Sequence, residues 1–154
     1  MEPPFAPIAI GLEYILSALQ RDGFRILLAH PERCPAFHRD PLMLQSLVSS
    51  GVLTSITAGS LVGQFGGEVR RFALGLVRDG LVHNVASDAH DAVRRPPGLA
   101  GELEAAGLTG LRGWTTEAVP QAILDGQPLP PRPAEAAVAP PRERRGVARW
   151  LPGR

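Results

Sequence analysis

Apolar and polar positions along this chain fall into blocks that call for helices and short strands in turn. Ile8, Leu12, Ile15 and Leu19 recur three or four residues apart and predict a first helix, with Gly23 as its stop. Phe24-Arg25-Ile26-Leu27-Leu28-Ala29 is a short apolar run that predicts a buried strand ending at His30. Residues 35–40 carry turn signals and read as a loop. Asp40-Pro41 then opens a second helix with Leu44, Leu47 and Val48 facing inward and Gly51 as its stop. A strand over 52–57 leads into the glycine-rich stretch 58–67, which lacks the Gly-Lys-Ser/Thr ending of a P-loop and reads as a connecting loop. Val69, Phe72, Ala73, Leu76 and Val77 form the inner stripe of the next helix, closed by Gly80. The apolar run 81–85 is a further strand, delivering Ser87, Asp88 and His90 at its end.

Past that strand the prolines of Arg95-Pro96-Pro97 keep the chain extended. Short helices are expected over 99–106 and 117–124, with Pro120 tolerated in the first turn of the second. Beyond Gly126 the periodicity stops. Residues 128–154 are rich in Pro, Ala and Arg and predict a disordered tail, with Trp150-Leu151 a possible docking point within it. The alternation of helix and strand implies parallel strands with crossover helices, an α/β fold in one domain over residues 1–127.

Composition changes this picture little. A chain of 154 residues with 44% apolar side chains can build one core. No run of apolar residues is long enough to span a bilayer, and Met1-Glu2-Pro3-Pro4 does not open a signal peptide, so a cytoplasmic location is expected, without membrane insertion. The single Cys34 fits a reducing compartment; no Cys-x5-Arg cradle follows it, so it reads as a packed thiol and not a phosphatase nucleophile. From Pro128 onward six arginines face two acids, +4, which leaves −3 for the rest of a chain whose net charge is +1. Every basic residue is Arg, and no nucleic-acid partner follows from this distribution.

The candidate chemistry sits at strand ends, where α/β proteins place their sites. Asp88 and His90 offer a carboxylate oxygen and an imidazole nitrogen, a mixture suited to Zn, Mn or Fe. His30 ends a second strand in the same way. Of the remaining groups, His38 reads as solvated, His83 as packing or capping, Glu32 as a positioning or surface acid, and Arg94 as an exposed charge.

Several stretches carry a resemblance. Leu28-Ala29-His30-Pro31-Glu32-Arg33, Thr57-Ala58-Gly59-Ser60-Leu61 with Gly63-Gln64-Phe65-Gly66, Gly80-Leu81-Val82-His83 with Ala86-Ser87-Asp88-Ala89-His90, and Arg95-Pro96-Pro97 resemble the bacterial tyrosine-protein phosphatases of the polymerase-and-histidinol-phosphatase (PHP) superfamily, the capsular polysaccharide group. Trp114-Thr115-Thr116-Glu117 and Ala122-Ile123-Leu124-Asp125-Gly126 resemble that group's last helix. The resemblance implies a distorted seven-stranded β/α barrel, here in part. It also implies a cluster of divalent metals, usually manganese, and hydrolysis of phosphotyrosine on a bacterial tyrosine kinase of exopolysaccharide export. His30, Asp88, His90 and Glu2 then match metal ligands, and Arg33 and Arg95 match the two arginines that hold the phosphate, a role suited to a planar donor fork.

The family's N-terminal His-x-His segment and Gly-Asp-Asp-Gly loop have no counterpart in this sequence, which resembles the family's C-terminal portion. Two further readings therefore stand beside the tyrosine phosphatase: a non-catalytic half-barrel that binds a partner chain or assembles as an oligomer, and a phosphatase of a small phosphate monoester.

Overall fold

The computed structural model describes residues 1–6, 11–93 and 96–134. Three strands, β1 (Leu27–Ala29), β2 (Leu53–Thr57) and β3 (Asn84–Ala86), form one parallel sheet in the order β1-β2-β3. Leu28 faces Thr54 across the first pair and Ile56 faces Val85 across the second, so the carboxyl ends of all three strands lie along one edge. Met1 extends the pairing on the outer side of β1: its carbonyl accepts from the Ala29 N–H at 2.8 Å and its amino group donates to Leu27 at 2.9 Å.

Helix α1 (Leu12–Arg21) precedes β1. Its buried stripe is Leu12 and Leu16, while Ile15 is exposed and Ile8 lies outside the described residues. Between β1 and β2 stand a 3₁₀ turn (Pro31–Arg33), α2 (Pro35–Arg39) and α3 (Pro41–Ser49). The sequence reading of 35–40 as a loop is corrected here. Pro35 occupies the first turn of α2, where its missing N–H costs nothing, and Phe37 buries its whole side chain in the core, which makes a five-residue helix worthwhile. Asp40 then caps α3 by accepting from the Met43 N–H.

The connecting loop expected at 58–67 is likewise corrected in its first half. Ala58–Val62 forms α4, with Ala58, Ser60 and Leu61 fully buried, and Gly63 at φ 94° closes it in the left-handed region that favours glycine. Helix α5 (Gly67–Arg78) then returns the chain to β3 with Ala73, Leu76 and Val77 inward. After β3 come α6 (Ala100–Ala105), a 3₁₀ turn (Thr109–Leu111), a π-helical turn (Trp114–Ala118) and α7 (Val119–Leu124). Phe37, Leu16, Leu28, Leu44, Ile56, Leu61 and Leu103 are the largest fully buried apolar side chains, all in one continuous core.

Residues 128–134, the start of the stretch expected to be disordered, lie against the body. The Trp114 indole donates to the Pro130 carbonyl at 3.0 Å, and the Arg132 guanidinium donates to the Val77 carbonyl at 2.7 Å. Residues 135–154, with Trp150-Leu151, lie outside the described residues.

His83 ties β2 to the turn before β3. Its Nδ1 accepts from the Thr54 N–H at 3.1 Å, so the ring must be unprotonated there, and the His83 backbone N–H donates to the Thr54 carbonyl. Burial, and then the nearby Arg132 charge, lower its pKa from the usual 6.5. A histidine with a lowered folded-state pKa contributes stability above the unfolded pKa and loses it as pH falls through 6.5 towards the folded value. Urea midpoints should therefore drop between pH 7 and pH 5 in the native protein, with a loss of about 1 kcal/mol for a bond of this kind. His83→Gln should flatten that part of the profile. Parallel slopes in the two proteins would show that His83 does not carry the dependence.

Candidate functional site

The carboxyl ends of β1 and β3 bring the candidate residues together in two pairs. His30 follows β1 directly, and its Nε2 lies 3.2 Å from Glu2 Oε1. Asp88, two residues beyond β3, receives a hydrogen bond from Arg33 at 2.8 Å on Oδ2, and His90 Nε2 approaches its Oδ1 at 3.5 Å. Arg33 thus joins the end of one strand to the end of another across 55 residues of chain. Arg95, the second phosphate-holding candidate, and its neighbour Arg94 lie outside the described residues.

Backbone geometry marks the same positions. Among the described residues, His30 (φ 36°) and Asp88 (φ 52°) are the non-glycine residues with positive φ. Histidine and aspartate tolerate this region better than most side chains, yet each such residue costs on the order of 1 kcal/mol or more. The surrounding contacts maintain it: the His30 N–H donates to the Ser55 carbonyl, and Arg33 clamps Asp88.

Glu32 is the clamp beneath. It is fully buried, and its Oε1 accepts both the Thr57 N–H at 3.0 Å and the Ser60 hydroxyl at 2.7 Å, which bolts the turn after β1 to the start of α4 after β2. Burial raises its pKa, while the two hydrogen bonds and the nearby His30 act in the opposite direction. Glu32 is therefore a positioning acid. His38, expected to be solvated, is half-buried: its Nε2 donates to the Glu32 carbonyl at 2.7 Å, and its ring packs on Phe72. Cys34 is buried and contacts the Pro4 carbonyl through its sulfur, a packed thiol.

Two aromatic rings that the sequence did not single out as site residues flank this edge. Phe5 stacks on His30 at 5.5 Å, and the Arg33 guanidinium lies 5.4 Å from the Phe5 ring and 4.3 Å from that of Phe65. Arg33 also opens onto a hollow of about 290 Å³ bounded by Pro35, His38, Arg39, Glu68 and Val69. A larger groove of about 580 Å³ runs between α3 and α5 past Leu42, Phe72 and Leu76 and shares His38 and Glu68 with that hollow.

Whether these donors suit a divalent cation can be judged from their chemistry and their arrangement. Carboxylate and imidazole are appropriate ligands, and His30 Nδ1 is buried without a hydrogen-bond partner. Among the described residues, however, no three of His, Cys, Asp and Glu stand together as a metal-holding group. The donor types fit a cation; among the described residues they stand as two pairs, which do not close a site around one.

Comparison with known proteins identifies the family. The family model described as capsular polysaccharide synthesis, CpsB/CapC, matches residues 8–119. Tyrosine-protein phosphatase YwqE of Bacillus subtilis (strain 168) is 40% identical over 95 residues, which is 62% of this chain and 37% of YwqE. CapC of Staphylococcus aureus is 41% identical over 96 residues, 62% of this chain and 38% of CapC. A solved structure from work on YwqE and on CpsB from Streptococcus pneumoniae, described as metal-dependent tyrosine phosphatases, superposes with a TM-score of 0.66 at 33% identity, covering 87% of this chain and 56% of that one. The chain therefore spans under two-fifths of the curated relatives' length. The family match takes in well over half of the chain, and the chain belongs to the CpsB/CapC family of capsular polysaccharide synthesis.

Proposed function

We propose that this chain carries the phosphate-holding side of a metal-dependent protein-tyrosine phosphatase, acting in the cytoplasm on a phosphotyrosine protein such as a bacterial tyrosine kinase. Its sheet would form part of a distorted β/α barrel. The observation that carries the reading is the Arg33–Asp88 contact, which brings a guanidinium and a carboxylate together at two strand ends where the backbone is strained. The relatives named as tyrosine phosphatases supply the substrate class.

In this reading Arg33, with Arg95, grips the phosphoryl oxygens and neutralises the charge that gathers on them during in-line attack. The planar fork of Arg33 is already oriented by Asp88 and by the Phe65 ring, so little ordering remains when the ester arrives. Glu2, His30, Asp88 and His90 would supply ligands to divalent cations, manganese among them. Cations held there would supply Lewis-acid activation of a water near neutral pH. Glu32 holds the turn that presents both His30 and Arg33.

The two-pair arrangement favours a second reading, in which the chain is a non-catalytic half that binds another chain. Two measurements separate the possibilities. Metal analysis after dialysis should find well under one manganese per chain, because affinity depends on ligand count and on the groups supporting each ligand; retention of two or more would show a complete site. Hydrolysis of a phosphotyrosine peptide in manganese should rise when the portion of YwqE outside the match is supplied as a separate chain. Arg33→Ala should then lower that rate by about tenfold or more, and Asp88→Ala should abolish it. If the added portion binds yet brings no hydrolysis, the non-catalytic reading is correct.

A further inference from the structure

We propose that Phe5 and Phe65 are aromatic walls that select an aryl phosphate ester over an alkyl one at Arg33. This rests on the reading that Arg33 holds the phosphoryl group, and it adds the residues that read the organic half of the ester. Neither ring belongs to the hydrophobic core or to the apolar side chains packed against it. Phe5 is 56% exposed, yet it lies on the His30 imidazole at 5.5 Å with 29° between the planes and within 5.4 Å of the Arg33 guanidinium. Phe65, half-buried, comes from the turn after α4 and places its ring 4.3 Å from the same guanidinium. Two elements far apart in sequence therefore converge on one cation with phenyl rings, without gaining the core burial that usually places a phenylalanine.

The chemistry of those rings limits what can be recognised. A phosphate monoester gripped by Arg33 must put its bridging oxygen and the first carbons of its organic group beside the guanidinium, within reach of both rings. Phenylalanine offers no donor or acceptor to the hydroxyls of a sugar or glycerol phosphate. It does offer a flat apolar face, and aromatic pairs in stacked or edge-to-face contact gain more than the burial of area alone. The phenyl ring of a phosphotyrosine side chain meets that requirement, whereas the short alkyl group of a phosphoserine does not.

The test is an NMR titration of the 154-residue chain with phenyl phosphate, methyl phosphate and inorganic phosphate, following the Arg33 side-chain N–H and the phenylalanine ring resonances. Phenyl phosphate should bind about fivefold more tightly than methyl phosphate, the scale of one aromatic pair. Phe5→Leu and Phe65→Leu, which keep an apolar side chain and remove the ring, should each bring that ratio towards one; Phe5, being exposed, can be replaced without touching the core. Equal affinities for the two esters, with inorganic phosphate still shifting Arg33, would overturn the aromatic selection and leave Arg33 as the phosphate holder. A preference for phenyl phosphate that survives both substitutions would also overturn it. Absence of any shift at Arg33 with all three anions would overturn both this inference and the reading beneath it.

Discussion

A single buried carboxylate governs where the site stands. Glu32, in the turn after β1, receives two hydrogen bonds, one from Thr57 at the end of β2 and one from Ser60 in α4. A hydrogen bond contributes about 1 kcal/mol net, and removing a partner from a buried acid leaves its desolvation uncompensated. The interaction therefore forces the turn Pro31–Arg33 into one position relative to β2. His30 and Arg33 lie on either side of Glu32 and have little choice of direction once that turn is set. The His38 ring, held by the Glu32 carbonyl and packed on Phe72, extends the same constraint to α5.

From that fixed turn the functional edge follows by contact. Arg33 reaches across to Asp88, Asp88 adopts a left-handed backbone, and His90 is brought beside it. On the other side His30, also left-handed, faces Glu2 and lies under Phe5. Strain at two ligand candidates, charge pairs across strand ends and aromatic rings over a guanidinium form a preorganised edge, costly to maintain and hard to explain as core packing alone.

Much of this was legible in the sequence, for identifiable reasons. Strands announced themselves as short apolar runs, and His30, Asp88 and His90 stood where such runs end, so periodicity alone located three of the four ligand candidates. The helices α2 and α4 were missed because Pro35 and the glycines around Gly59 are turn signals, and only the burial of Phe37 and Leu61 outweighs them. The inner face of α1 was off by one position, since Leu16 rather than Ile15 meets the core. His38 looked solvated because its neighbours in sequence are polar, whereas its neighbours in space are Phe72 and a backbone carbonyl. Phe65 stood in one of the stretches that carry the resemblance, but its meeting with Phe5 over Arg33 could not be read, because the three are joined only through tertiary packing.

The central claim is that an oxyanion is held by Arg33 at the carboxyl ends of β1 and β3. A crystal structure of the chain grown with tungstate, a phosphate mimic with a strong anomalous signal, tests it most directly. The account predicts a tungsten peak within hydrogen-bond distance of the Arg33 guanidinium, bordered by His30, Asp88 and the Phe5 ring. A peak confined to the groove between α3 and α5, or no peak at Arg33, would contradict it.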